Sequence, residues 1–111
     1  MRTAYVVYDL LPILMPECFF PGATETYSRW LGTVREADAL VSISRSVRDE
    51  LAAWLAANPA PAPSPALGWF HLGADLDGVE PRDDQLDLSH RPRFLMVGTL
   101  EPRKRHEQVL D

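Results

Sequence analysis

Short apolar runs alternate along the chain with stretches whose apolar residues fall at helical spacing. Ala4-Tyr5-Val6-Val7-Tyr8 is rich in β-branched and aromatic residues and lacks polar alternation, which predicts a parallel-sheet strand buried on both faces and ended by Asp9. Leu11 to Gly22 contains Pro12, Pro16 and Pro21; proline removes amide donors and blocks regular helix, so a long loop is expected here. From Thr24 to Asp38, Tyr27, Trp30, Leu31, Val34 and Ala37 recur on one side, with Arg29, Arg35 and Glu36 on the other, the pattern of an amphipathic helix. Ala39 to Ile43 reads as a second buried strand. Ser46, with Asp49 three residues on, reads as the cap of a helix from Val47 to Ala56, whose apolar stripe is Val47, Leu51, Trp54 and Leu55.

Beyond this helix the pattern weakens. Asn58 to Pro65 holds four of the ten prolines, a density that favours an extended surface connection over helix or sheet. Leu67 to Leu72 is a third strand candidate. The acidic stretch behind it has too few apolar residues to bury much, and predicts an interdomain linker over residues 73–92. Arg93 to Val97 is the clearest strand by composition, closed by Gly98 and followed after Pro102 by a helical segment reaching Leu110. Nothing after Leu110 resembles a helix stop, so the chain is expected to be truncated. Strands alternating with helices imply an α/β fold with parallel strands. The expected division is residues 1–72 in one Rossmann-like domain, 73–92 as linker and 93–111 as the first strand and helix of another.

Composition narrows the function classes. Hydrophobic residues at 46% and charged residues at 24% fit a folded, soluble chain, and 111 residues suffice for one small domain rather than two of typical size. A net charge of -5 speaks against a dedicated nucleic-acid binder, which needs a basic surface to displace phosphate counterions. Charge is uneven, however: Asp75 to Asp87 carries six acids against Arg82, whereas Arg91 to Arg105 carries five basic residues against Glu101, so an anion fits the second stretch. Cys18 is alone, and His71, His90 and His106 lack metal-ligand spacing, so neither a disulfide nor a metal site is expected. Asp9, Pro12 and Pro16 interrupt the apolar N-terminus before a signal-peptide core or membrane span forms, which leaves a reducing, cytoplasmic compartment as the default.

Arg103, Lys104 and Arg105 crowd the start of the last predicted helix, an arrangement that costs an isolated helix up to about 1 kcal/mol. A bound diphosphate reverses the sign by pairing with Lys104 or Arg103 and with free amides; a solvated basic loop is the alternative. Ser44, at a strand end, is placed to reach a cleft, but no histidine and acid accompany it, so a hydrolase triad is unsupported. Trp30, Trp54, Trp69 and Phe70 read as core rather than as sugar-stacking platforms.

Phe94 to Asp111, FLMVGTLEPRKRHEQVLD, resembles the segment that opens the nucleotide-sugar-binding domain of family-four glycosyltransferases, enzymes of the two-domain GT-B fold. Three further segments fall in the family's order. Tyr8-Asp9-Leu10-Leu11-Pro12 is similar to its His-Asp-x-x-Pro segment, Ala37 to Ser44 to its Ala-Asp strand, and His71-Leu72-Gly73-Ala74-Asp75 to its domain junction. The resemblance implies Rossmann-like parallel sheets and gives Lys104 the role of contacting the donor diphosphate, with Gly98, Thr99 and Arg103 beside it. The family has Arg or Thr after the glycine, and members with Arg use it as a second phosphate ligand; Thr99 offers only a hydrogen bond, so Arg103 is the candidate replacement. Tyr8 stands at the family's cleft-facing His and can hydrogen-bond but cannot become an imidazolium; the alternative is that it only ends a buried strand. Asp9 lies at a strand's carboxyl end, the edge where open α/β sheets bind ligands, and with Tyr8 it is a candidate catalytic residue.

The family's glycine-rich loop and its downstream pair of glutamates have no counterpart here, so the 111 residues alone are not expected to catalyse. The reaction implied for a full-length protein is transfer of a sugar from a nucleoside-diphosphate sugar to an acceptor hydroxyl, with retention and without metal or cofactor. The implied partners are the nucleotide-sugar donor, a carbohydrate or lipid-linked acceptor in polysaccharide or glycolipid synthesis, and the cytoplasmic face of a membrane as a peripheral surface. The competing reading is a non-catalytic α/β module that binds a nucleotide, or a partner through its proline-rich and acidic segments.

Overall fold

A computed structural model describes residues 1–61, 63–73, 78 and 95–110. The chain divides into two compact units, Met1–Gly73 and Ala74–Asp111. In the first, strands Ala4–Val7 (β1), Ala39–Ser42 (β2) and Ala66–Trp69 (β3) form a parallel sheet in the order β1-β2-β3. The α/β class and parallel pairing are as the sequence predicts. Helix Ala23–Val34 (α2, counting a one-turn α1 at Leu11–Leu14) returns the chain from β1 to β2, and Arg45–Ala57 (α3) returns it from β2 to β3.

Right-handed crossovers between sequential neighbouring strands put both helices on one face of the sheet. The register sets Tyr5 beside Leu40 and Leu67, and Val7 beside Ser42 and Trp69, so these six share a face. Val7 and Leu40 join Leu10, Leu31, Val34, Leu51 and Leu55 in one buried cluster, with Ile13, Tyr27, Val47, Trp54 and Leu67 packed around it. The opposite face carries Ala4, Val6, Ala39, Val41, Ala66 and Gly68.

β1 is not buried on both faces. Val6 is 48% and Tyr5 46% exposed, because among the described residues helices cover only one face and β1 pairs with β2 alone. Of the aromatics read as core, only Trp54 packs there; Trp30, Trp69 and Phe70 lie at the rim, each more than a third exposed.

The predicted loop after Asp9 contains α1 and a 3-10 turn at Pro16–Cys18. Pro12 and Pro16 sit in first turns, where the missing N–H has no helical partner to lose. The Asp9 carboxylate accepts the Leu11 amide at 3.0 Å, and the Thr24 hydroxyl donates to the Pro12 carbonyl at 2.6 Å, which ties α1 to α2. Gly22, at φ 88°, takes the left-handed turn that opens α2.

The cap of α3 is Ser44, not Ser46. Ser44 is extended, at φ -158°, and its hydroxyl accepts the Val47 amide at 3.2 Å. β2 ends at Ser42, so the chain turns at once and the helix starts two residues before the predicted Val47. Ser44→Ala is expected to cost about 1 kcal/mol, and Ser46→Ala a few tenths, in thermal unfolding. At the far ends of the helices, Arg35 donates to the Asn58 carbonyl and lies over the Trp54 ring, 5.9 Å from its centroid. Pro59, Pro61 and Pro63 of the proline-rich connection are exposed, whereas Pro65 is buried at the entry to β3.

In the second unit the predicted strand Arg93 to Val97 is not formed where it is described. Arg93 and Phe94, with most of the expected linker 73–92, lie outside the described residues. Leu95 and Val97 are 90% and 85% exposed and, among the described residues, pair with no strand; an extended segment becomes sheet only when a neighbour takes its amides. The helix predicted after Pro102 is also interrupted. Pro102–Lys104 is a 3-10 turn, Arg105 sits at φ 52° in the left-handed region, and only Glu107–Leu110 (α4) is α-helical. A left-handed residue reverses the local helical sense, so turn and helix are not continuous.

Candidate functional site

Two groups of predicted site residues lie in the two units. The first is at the carboxyl edge of the sheet, where β1, β2 and β3 end at Val7, Ser42 and Trp69. The Ile43 amide donates to the Val7 carbonyl at 3.3 Å and the Phe70 amide to the Ser42 carbonyl at 2.9 Å, which continues the ladder to the rim. Tyr8 stands there 61% exposed, so it does not end the strand as a core residue. Asp9 is half-buried, its carboxylate engaged by the Leu11 amide and its carbonyl accepting the Tyr27 hydroxyl.

Tyr27, which the apolar periodicity marks only as core, therefore also fixes the backbone of Asp9. Burial, and secondarily the Asp9 charge, push its phenol from the ordinary 10.0 up to about 12. The folded state thus holds this proton more tightly than the unfolded chain, and stability falls as pH rises from about 10 to about 12. Tyr27→Phe is expected to remove that slope and to cost about 1 kcal/mol near neutral pH for the lost hydrogen bond, as read by urea unfolding across pH.

The second group is local to residues 98–104. The structure sets Thr99 and Arg103 around Glu101, the one acid among these basic residues, and Lys104 beside Gly98. The Thr99 hydroxyl donates to Oε1 of Glu101, and Nε of Arg103 donates to Oε2 at 2.6 Å. These bonds, the Thr99 one first, lower the Glu101 carboxyl below its usual range. A Cβ placed on Gly98 would lie 4.0 Å from Cε of Lys104, so the lysine stem folds over the turn against the glycine. Lys104 itself is exposed. With the helix interrupted at Arg105, the cations sit on a 3-10 turn rather than at the head of a long helix. What the turn offers an anion is side-chain charge.

A depression of about 500 Å³ lies at the opposite, amino-terminal edge of the sheet, lined by Arg2, Thr3, Ala4, Asp38, Ala39 and Ala66. It holds none of the predicted site residues, and ligands of open parallel sheets sit at the carboxyl edge. Among the described residues no three His, Cys, Asp or Glu side chains gather as a metal site. No helix among them is long and apolar enough to cross a membrane.

Three Escherichia coli proteins, each described as serotype-specific mannosyltransferase WbdA, are 39% identical to the chain over 118 residues, an alignment that takes in 96% of the chain. The chain spans 14% of the length of these curated relatives. No protein-family model matches the chain, and no solved structure matches it.

Proposed function

We propose that these residues act as part of a retaining glycosyltransferase of the GT-B type, which transfers a mannosyl unit from a nucleoside-diphosphate sugar to an acceptor hydroxyl in the synthesis of a serotype-specific polysaccharide. The observation that carries this reading is the 39% identity, across 96% of the chain, to proteins described as mannosyltransferases. In this reading residues 1–72 belong to the acceptor-side Rossmann-like domain, 73–92 link the domains and 93–111 open the donor domain.

Lys104 pairs with the donor diphosphate and stabilises the charge that gathers on it as the glycosyl bond breaks. Arg103 is the second cation, and Gly98 lies beside the Lys104 side chain. Tyr8 and Asp9, on the carboxyl edge of the sheet, contact a sugar. No metal or cofactor takes part, and the acceptor is a carbohydrate or lipid-linked chain met at the cytoplasmic face of a membrane.

The test is incubation of the intact protein with nucleoside-diphosphate mannoses and a mannan acceptor, with the product linkage read by NMR. Transfer from an α-linked donor into an α-linkage is the expected result. A β-linked product overturns retention, and no transfer from any mannose donor overturns the reading.

A further inference from the structure

Glu101 is the one acid in the basic stretch from Arg91 to Arg105. A carboxylate beside an anion site is unfavourable on Coulombic grounds alone. Here, however, the turn occupies both of its oxygens, one with the Thr99 hydroxyl and the other with Nε of Arg103 at 2.6 Å. A hydroxyl carries one proton, so Thr99, donating to Glu101, has none left for a phosphate. A guanidinium carries five N–H groups in a rigid fork, and the bond to Glu101 uses only the one on Nε. The Arg103 side chain is 25% exposed, and Glu101 holds its inner nitrogen.

We propose that Glu101 is a positioning residue, through which the turn presents the outer nitrogens of Arg103, in place of the Thr99 hydroxyl, to a diphosphate held beside Lys104. This rests on the reading of residues 98–104 as the diphosphate site. A cation absent from position 99 is supplied from position 103, and the carboxylate aims it.

The sign of one substitution separates this role from simple electrostatics. If Glu101 acted only as a negative charge, Glu101→Ala and Glu101→Gln would both tighten anion binding. As a positioning residue it makes the two differ. Alanine releases Arg103 to sample other rotamers. Glutamine keeps both contacts by reversing one, its carbonyl accepting from Arg103 and its amide donating to Thr99.

The experiment is calorimetric binding of UDP, GDP and inorganic pyrophosphate to the intact protein and to Glu101→Ala, Glu101→Gln, Arg103→Lys and Lys104→Ala. Glu101→Ala is expected to weaken binding about fivefold or more, and Arg103→Lys likewise because it keeps the charge and loses the fork, while Glu101→Gln stays within about twofold of the parent. Glu101→Ala binding as tightly as the parent or tighter overturns the proposal; if Lys104→Ala is still weakened in that case, the diphosphate site stands. Should the parent bind none of the three probes, or Lys104→Ala bind like the parent, the diphosphate reading fails and this proposal with it.

Discussion

Replacing Lys104 by alanine in the intact protein is expected to lower its turnover number at least tenfold, and most plainly at saturating donor. Lys104 is exposed on a turn, and its stem leans on Gly98 rather than on a buried core, so the substitution removes charge without removing packing. The stability of the variant, followed by circular dichroism, stays within about 0.5 kcal/mol of the parent, as for most surface changes. The loss of rate has another origin. The diphosphate gains negative charge as the glycosyl bond breaks, and a cation that meets this charge contributes more in the transition state than in the ground state. Removing one such contact typically costs about 3 kcal/mol, a factor of about a hundred in turnover. Steady-state rates with a mannose donor decide it: wild-type turnover in Lys104→Ala removes the lysine from the reaction.

The largest effect on stability is expected at Leu40. It is fully buried in the middle strand, with β1 and β3 on either side, and it belongs to the cluster that includes Leu31 of α2 and Leu51 of α3. Leu40→Ala removes apolar volume where strands and helices meet, and the sheet cannot collapse without breaking its ladder. A cost of about 2–5 kcal/mol is expected, against a total stability of about 5–15 kcal/mol for a domain of this kind. Val6→Ala, on the uncovered face and 48% exposed, is the control, with less than about 1 kcal/mol. Urea unfolding that gives the two variants equal midpoints contradicts the one-sided core.

Sequence patterning made the larger elements legible because their signals are local. Leu31 and Val34, and Leu51 and Leu55, mark the buried stripes of α2 and α3 by spacing alone, and the apolar runs place β1, β2 and β3 to within a few residues. What escaped the pattern depends on partners distant in sequence or on fine backbone geometry. β1 reads as doubly buried because its composition cannot say which faces the helices cover. α1 is invisible to proline counting, since the Asp9 carboxylate and Thr24 stabilise it from outside the helix. Ser44 and Ser46 differ as caps only through the residue at which β2 ends.

The candidate site divides in the same way. Gly98 and Lys104 stand out by motif, and Tyr8 and Asp9 by their place after a strand. Glu101 does carry a signal, an acid two residues after a threonine and two before an arginine across Pro102, but its meaning appears only when the turn folds. The left-handed Arg105 that interrupts the last helix has no signature, because no glycine or asparagine marks it.

The parallel sheet also constrains the order in which the chain folds. It contains no hairpin: Ala4 must find Ala39, and Ala39 must find Ala66, each across a whole intervening helix. Closing such loops costs entropy before any ladder bond compensates, while α2 and α3 form from contacts a turn apart. The Leu40 cluster, which both helices and the central strand complete together, is therefore the natural folding nucleus. Until it forms, the apolar runs of all three strands remain open to solvent and to one another, and the time spent in that state sets the chain's exposure to misassembly during synthesis.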